Sequence, residues 1–469
     1  MTTVSQHLAA YIRTARPAEP LLTHGASRAF LDTLAAAVAG RDEPSAAAAG
    51  SWARTAVGRV EGSAARDWAT GISLPVAEAA FVNGVASHAL DLDDVSMAMW
   101  GHPSTLLVPV AIAIGEATGA SVKQCLAAYV VGLHVDVAMS AGFNLVEHYA
   151  RGWHASVTVG TIGAVATGAH LLGLSEQETV SALGMAVSMA SGSRENFGTT
   201  TKPMHIGFAA SNAVKACQLA AAGVDASPTA IDGPLGFFQL YGAGGGDAAA
   251  VVAALHSRES TTLATLNTKR YPCCYQTHRA IDAALDLHAG LDPQARSEIS
   301  EVVVYVNPGS DNSLIHPFAR TPAQARFCMR YVVSAALLFG KVDFATFAPE
   351  HVADPAVQEL MQRVRIEYEE TPPFGERAYK LDYASLQVTT PVGEPLRITC
   401  TVPRGNEERP LDDDDLLVKA DSCLRHGEFD AGARRIFAAL TDPLLDTIGL
   451  VDQVRSLDRR GHSSGPAWN

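Results

Sequence analysis

The feature that most constrains this chain is a change of periodicity near Asn267. Upstream of it, apolar residues recur at helical spacing in one stretch after another. The stretches are Ser27 to Ala39, Pro75 to Ala89, Thr105 to Thr118, Val122 to Phe143, Val157 to Leu172, Ser175 to Ala190 and Pro203 to Ala222. Ser175 with Glu178 three residues later forms a capping-box signature at the start of its helix. Gly160, Gly163 and Gly168 lie inside a helical stretch, where each costs about 1 kcal/mol against Ala, so a close helix–helix approach is expected in return. Downstream of Asn267 the pattern becomes β-like in Glu301 to Val306, Val364 to Tyr368, Ser385 to Thr390 and Leu396 to Val402. Pro391 to Pro395 reads as a hairpin between the last two, and helices Thr277 to His288 and Pro322 to Phe339 interleave. After Gly405 the chain turns helical again, with Asp412 to Asp415 capping a helix through Arg425. The expected fold class is therefore mainly α, a large all-helical domain (1–266 plus 407–457) with a smaller α+β domain (267–406) inserted, and a flexible polar tail (458–469).

Composition excludes several function classes. With 48% apolar and 18% charged residues the chain is a packed globular protein and not a disordered one. A net charge of −14 argues against a general nucleic-acid partner. The first residues, Met1-Thr-Thr-Val-Ser-Gln-His7, show no basic region followed by an apolar run, so no signal peptide is expected. Apolar stretches such as Leu106 to Ile114 fall short of a membrane span, and a soluble cytoplasmic protein is expected. The seven cysteines form no C-x-x-C pair, which argues against structural zinc, an iron–sulfur cluster or a disulfide framework.

The chemistry-bearing residues gather at expected helix starts. Ser193 to Gly207 places Arg194, Lys202 and His205 in a small, apolar neighbourhood. Pro203 disfavours a helical Lys202 and suits the first helical position, so Lys202 is expected at a helix N-terminus. An ammonium gains nothing there alone; an anion as the missing partner makes sense of it. The alternative is a surface lysine with its tip in water. His102 stands before Pro103-Ser104 and a helix, and His154 before Ser156 and another. Together the three would form a pocket for carboxylate binding and proton transfer. Asp91, Asp93 and Asp94 are the acidic counterpart: Asp91 facing a histidine, with Asp93 or Asp94 serving only as a solvated helix end, is one reading, and Mg²⁺ binding for a diphosphate is another that lacks a second metal motif. His278 opens a helix behind Thr277 as a candidate N-cap, Cys273 and Cys274 read as buried thiols, and Tyr331 lies in a largely apolar helix where it could be core.

These residues resemble the MmgE/PrpD family. The resemblance rests on H-A-L-D-L-D-D (88–94), G-H-P-S (101–104), G-W-H-A-S (152–156), G-S-R-E-N-F-G-T-T-T-K-P-M-H-I-G (192–207), Y-P-C-C-Y-Q-T-H-R-A-I-D (271–282) and D-D-D-L-L-V-K (413–419), in that order. The family includes cis-aconitate decarboxylases, 2-methylcitrate dehydratases and an iminodisuccinate epimerase. The resemblance implies that the inserted α+β domain is a lid, that the protein is a homodimer, that the active site lies between the domains, and that neither metal nor organic cofactor is used. It implies Asp91, His102, His154, Lys202, His278 and Tyr331 as pocket residues, with Arg194, Lys202 and His278 binding a small di- or tricarboxylate. Departures from the animal decarboxylase type are Val95 for a Thr, Arg194 for an apolar residue, and one extra residue between Asp91 and His102. The expected reaction is decarboxylation or dehydration; epimerisation of a dicarboxylate and a non-catalytic helical binding protein are the alternatives.

Overall fold

The structure is a computed structural model that describes residues 2–56, 64–242, 245–258, 262–369 and 382–457. The fold is mainly α. Its contacts divide the chain into two units: Met1–Glu195, Thr201–Asn267 and Asp412–Asn469 form the first, and Asn196–Thr200 with Thr268–Leu411 the second. The expected flexible tail (458–469) and part of the expected 242–247 loop lie outside the described residues.

In the first unit the helical stretches appear as Ser27–Gly40, Val76–His88, Ser104–Thr118, Val122–Ala141, Gly160–Leu172, Glu176–Met189 and Thr201–Ala221. Ser175 and Glu178 close the expected capping box on the sixth of these. The glycines do what their cost implies. A Cβ on Gly132 would lie 2.0 Å from Thr167 Oγ1, and one on Gly163 would lie 2.2 Å from Asp136 Oδ1. Helices Val122–Ala141 and Gly160–Leu172 can therefore approach only because those positions lack a side chain. The expected single helix from Val157 is instead a turn, Ala155–Thr158, followed by Gly160–Leu172.

One expectation needs correction. Among the described residues, Val122–Ala141 and Ala155–Leu172 are long and apolar enough to cross a membrane. Their apolar windows are 78% and 83% buried inside the protein, as the central helices of a packed core are.

The second unit has a four-stranded sheet with the order Val364–Tyr368, Glu301–Val306, Ala384–Thr389, Leu396–Cys400. The first pair is parallel, with Val302 opposite Val364; the others are antiparallel, with Val304 opposite Leu386. Helices His278–Gly290 and Met329–Phe339 contribute Ile281, Ala284, Val332 and Ala336 to a core shared with Val302, Val304 and Leu386. The expected helix Pro322 to Phe339 is two pieces, Pro322–Ala325 and Met329–Phe339.

Candidate active site

The site begins where helix Val76–His88 ends. His88 is its last residue, and three residues later Asp91 takes φ +53°, the left-handed region that a non-glycine residue enters at a cost. That turn directs the Asp91 carboxylate to Lys202, whose Nζ donates to Asp91 Oδ1 at 2.5 Å and to His88 Nε2 at 2.7 Å. Both side chains of the ion pair are 4% exposed. Lys202 is thus neither outside its helix nor in water. Helix Thr201–Ala221 starts one residue earlier, and Pro203 falls in the first turn, where its missing N–H loses nothing. The anion expected as the missing partner of Lys202 is supplied by the protein itself, as Asp91.

His88 accepts from an ammonium through Nε2, so its proton belongs on Nδ1, which donates to Asp93 at 2.9 and 3.0 Å. Burial, and the neighbouring Lys202 charge, push the His88 pKa down to about 4 against the pull of Asp93, consistent with a neutral ring. Asp93 holds a second imidazole: Nδ1 of His102 lies 3.1 Å from its Oδ2 and 2.9 Å from the Asp94 carbonyl. Both are acceptors, so His102 carries its hydrogen on Nδ1 and presents Nε2 as a base; no described residue bonds that nitrogen. Burial raises the Asp93 pKa, but His88 and His102 outweigh it and hold the carboxyl well below its usual range.

The reading of Asp93 and Asp94 as a solvated helix end is therefore overturned: they are 0% and 4% exposed. Asp94 accepts from the Ser104 hydroxyl, and burial pushes its pKa up to about 7. The histidine-orienting part expected of Asp91 is played by Asp93; Asp91 Oδ1 is 3.9 Å from His88 Nε2 and serves the lysine.

His154 caps the Ala155–Thr158 turn and is 1% exposed. Its Nδ1 faces His205 Nδ1 at 3.3 Å, and burial with the Lys202 charge pushes both rings down, His205 to about 4. Ring centroids of His88 lie 4.8 Å from His102 and 6.3 Å from His154. The Ser156 hydroxyl accepts from the His102 backbone N–H at 3.0 Å, tying the two histidine segments together. Gly192, at φ +123°, makes room: a Cβ there would lie 2.5 Å from Val157 and 3.6 Å from His205 Nδ1.

Arg194 sits beside this cluster through its backbone. Its N–H donates to the Gly152 carbonyl, and its guanidinium stacks 4.0 Å over the Tyr149 ring while donating to the Tyr149 carbonyl. The structure brings Asp91, His102, His154 and Lys202 together in the first unit. His278 and Tyr331 belong to the second. His278 is completely buried between the rings of Tyr271 and Tyr275, 5.1 and 5.0 Å away, with Nε2 3.4 Å from the Cys273 carbonyl. Thr277 precedes its helix without a side-chain cap. Tyr331 is completely buried, its hydroxyl donating to the Thr346 carbonyl, the core role its apolar helix allows.

His88 is a cluster member that the sequence reading did not select, Asp93 and His205 are members that it named without a part in the pocket, and Lys269 is a fully buried lysine of the second unit that it passed over. The signals were present: His88 is three residues from Asp91, and His205 is three from Lys202 on one helix face.

Ligand atoms of His88, Asp91, Asp93 and His102 lie within 4.8 Å of one another, a donor set of the kind that holds a divalent cation. Lys202 nonetheless bonds two of the four already. A metal ion among them would face an ammonium at close range, so this donor set fits the built-in cation and fits a metal poorly.

Such a fold and cluster define a mainly helical protein with a buried set of histidines, aspartates and a lysine assembled from distant segments. Residues 6–249 match the MmgE/PrpD N-terminal domain and residues 271–442 the MmgE/PrpD C-terminal domain. The chain belongs to the MmgE/PrpD family. It is 30% identical over 368 residues to a cis-aconitate decarboxylase of Homo sapiens, covering 74% of this chain and 72% of that protein. It is 25% identical over 332 residues to a 2-methylcitrate dehydratase of Cupriavidus necator, 66% of each chain. A 2-methylcitrate dehydratase of Escherichia coli K12 is 24% identical over 340 residues, 67% of this chain and 66% of that protein.

Proposed function

We propose that this protein is a cofactor-independent lyase acting on a small di- or tricarboxylate, by proton transfer at a carbon next to a carboxylate. The observation that carries the reading is the pairing of two functions in one buried cluster: the Lys202 cation on Asp91, and the His102 base on Asp93. Removing a proton beside a carboxylate builds negative charge on the acid's oxygens. A preorganised cation in a water-poor site is the strongest means of stabilising that charge. Lys202 is the candidate for it, and Arg194 offers a planar grip for a second carboxylate. His102 Nε2 takes or gives the proton, and Asp93 supports the imidazolium that forms. From the resulting carbanion-like state, loss of a β-hydroxyl as water, with the proton that His102 took, gives dehydration; in decarboxylation His102 starts as the imidazolium, protonated at Nε2 from solvent, and gives that proton to the carbanion left by loss of CO₂. The relatives' names support this range of outcomes.

The test is turnover of citrate-like, aconitate-like and C4 dicarboxylates in D₂O, followed by NMR and mass spectrometry. CO₂ loss with solvent deuterium in the product, or water loss to an alkene, is the expected result. Deuterium in recovered substrate without product would instead assign an epimerase. Unchanged function in both Lys202→Ala and His102→Ala would reduce the cluster to a binding site.

A further inference from the structure

The segment that carries Asp91 and Asp93 is held from the far end of the chain. Lys419, on helix Asp413–His426, is 4% exposed and donates from Nζ to the Leu92 carbonyl at 2.9 Å. Leu92 lies between the two acids, and no other hydrogen bond reaches that carbonyl among the described residues. The same ammonium pairs with Asp32 at 2.6 Å, on helix Ser27–Gly40, with both side chains at most 4% exposed.

We propose that Lys419 is a positioning residue: its hold on the Leu92 carbonyl fixes the turn that aims Asp91 at Lys202 and Asp93 at His88 and His102. The inference rests on the proton-transfer reading for its link to activity. The geometry is specific. Asp91 and Asp93 sit on either side of the held carbonyl and serve different partners. Asp91 is in the left-handed region, a conformation that persists only where its surroundings enforce it. An N–H···O=C bond from a buried ammonium is among the stronger ways to enforce it. Asp32 keeps that ammonium from being a lone buried charge. The pair thus acts on the loop and touches none of the reacting groups.

The test compares two double variants that differ by one donor, D32N/K419Q and D32N/K419M. The shared Asp32→Asn change removes the carboxylate that either lysine substitution would otherwise strand. Lys419→Gln keeps an N–H to offer the Leu92 carbonyl, whereas Lys419→Met keeps similar bulk with no donor. The glutamine variant should stay within about threefold of wild-type kcat; the methionine variant should lose about 10²-fold in kcat, the scale of a misplaced catalytic group, with a smaller change in KM. Amide hydrogen exchange across 88–96 should be faster in the methionine variant alone. Equal kcat and equal exchange in the two would overturn the proposal. So would failure of the methionine variant to fold, since Lys419 would then serve overall stability. Should the wild type turn over no polycarboxylate, the functional reading fails, and the exchange comparison still decides whether Lys419 holds the loop.

Discussion

The first unit contains two buried lysine–aspartate pairs of nearly equal length, 2.5 Å for Lys202–Asp91 and 2.6 Å for Lys419–Asp32, with all four side chains at most 4% exposed. They differ in their surroundings. Lys419 spends its other bond on a backbone carbonyl, which cannot change its charge. Lys202 spends its other bond on an imidazole, and three more histidines lie close by. The same ion pair is thus a fixed strut in one place and part of an adjustable set of charges in the other. Burying a charge pair is no cheap source of stability, so a pair beside titratable rings calls for a chemical explanation.

The largest expected effect that separates the two pairs is on turnover. Lys202→Ala should lower kcat/KM by about 10³-fold or more while leaving the protein folded, measured by steady-state kinetics and circular dichroism. A folded Lys202→Ala with unchanged kinetics would make the two pairs equivalent. Next come His102→Asn and Asp93→Asn, each expected to cost about 10²- to 10⁴-fold in kcat, measured by steady-state kinetics.

A third prediction concerns stability against pH. His88, His205 and His154 are held below their unfolded values, His88 and His205 at about 4. Below pH 6.5 the unfolded chain binds the extra protons, so their contribution is complete above about pH 6.5 and is lost as pH falls toward 4. Asp94 has the opposite sign: with its pKa raised to about 7, its contribution is present at low pH and is lost as pH rises from about 4 to 7. Burial raises Asp32, Glu116 and Asp136 as well, so the slope of the urea midpoint between pH 4 and 6.5 is the balance of the two sets, and Asp94→Asn should shift that slope upward.

The smallest effects are expected away from both pairs. Tyr331→Phe removes the donor to the Thr346 carbonyl and should cost about 1 kcal/mol of stability with little change in kcat; a large kinetic loss would return Tyr331 to the reaction. Prolonged chelation should leave activity unchanged. A loss that added divalent ion restores would show that His88, Asp91, Asp93 and His102 hold a metal in preference to Lys202.

Legibility in the sequence followed range. The Ser175–Glu178 capping box, the acid run at Asp412 that caps its helix, and the strands after Asn267 are set by near neighbours and could be read directly. Helix starts near His102, His154 and Lys202 were also legible to within a residue or two. What no local pattern carries is which charge meets which. Asp91 and Lys202 are 111 residues apart, and Leu92 and Lys419 are 327 apart. An acidic run usually faces water, so Asp93 and Asp94 read as solvated; two imidazoles and a serine hydroxyl are what make their burial tolerable.

The facing Nδ1 atoms of His154 and His205 impose a rule on those rings. When one carries hydrogen at the shared edge, the other must be bare there and hydrogenated at Nε2. Their outer nitrogens are therefore always unlike, one able to give and one able to take. A hydrogen passed across the 3.3 Å gap, with its counterpart exchanged outside, would reverse which ring does which without moving a heavy atom.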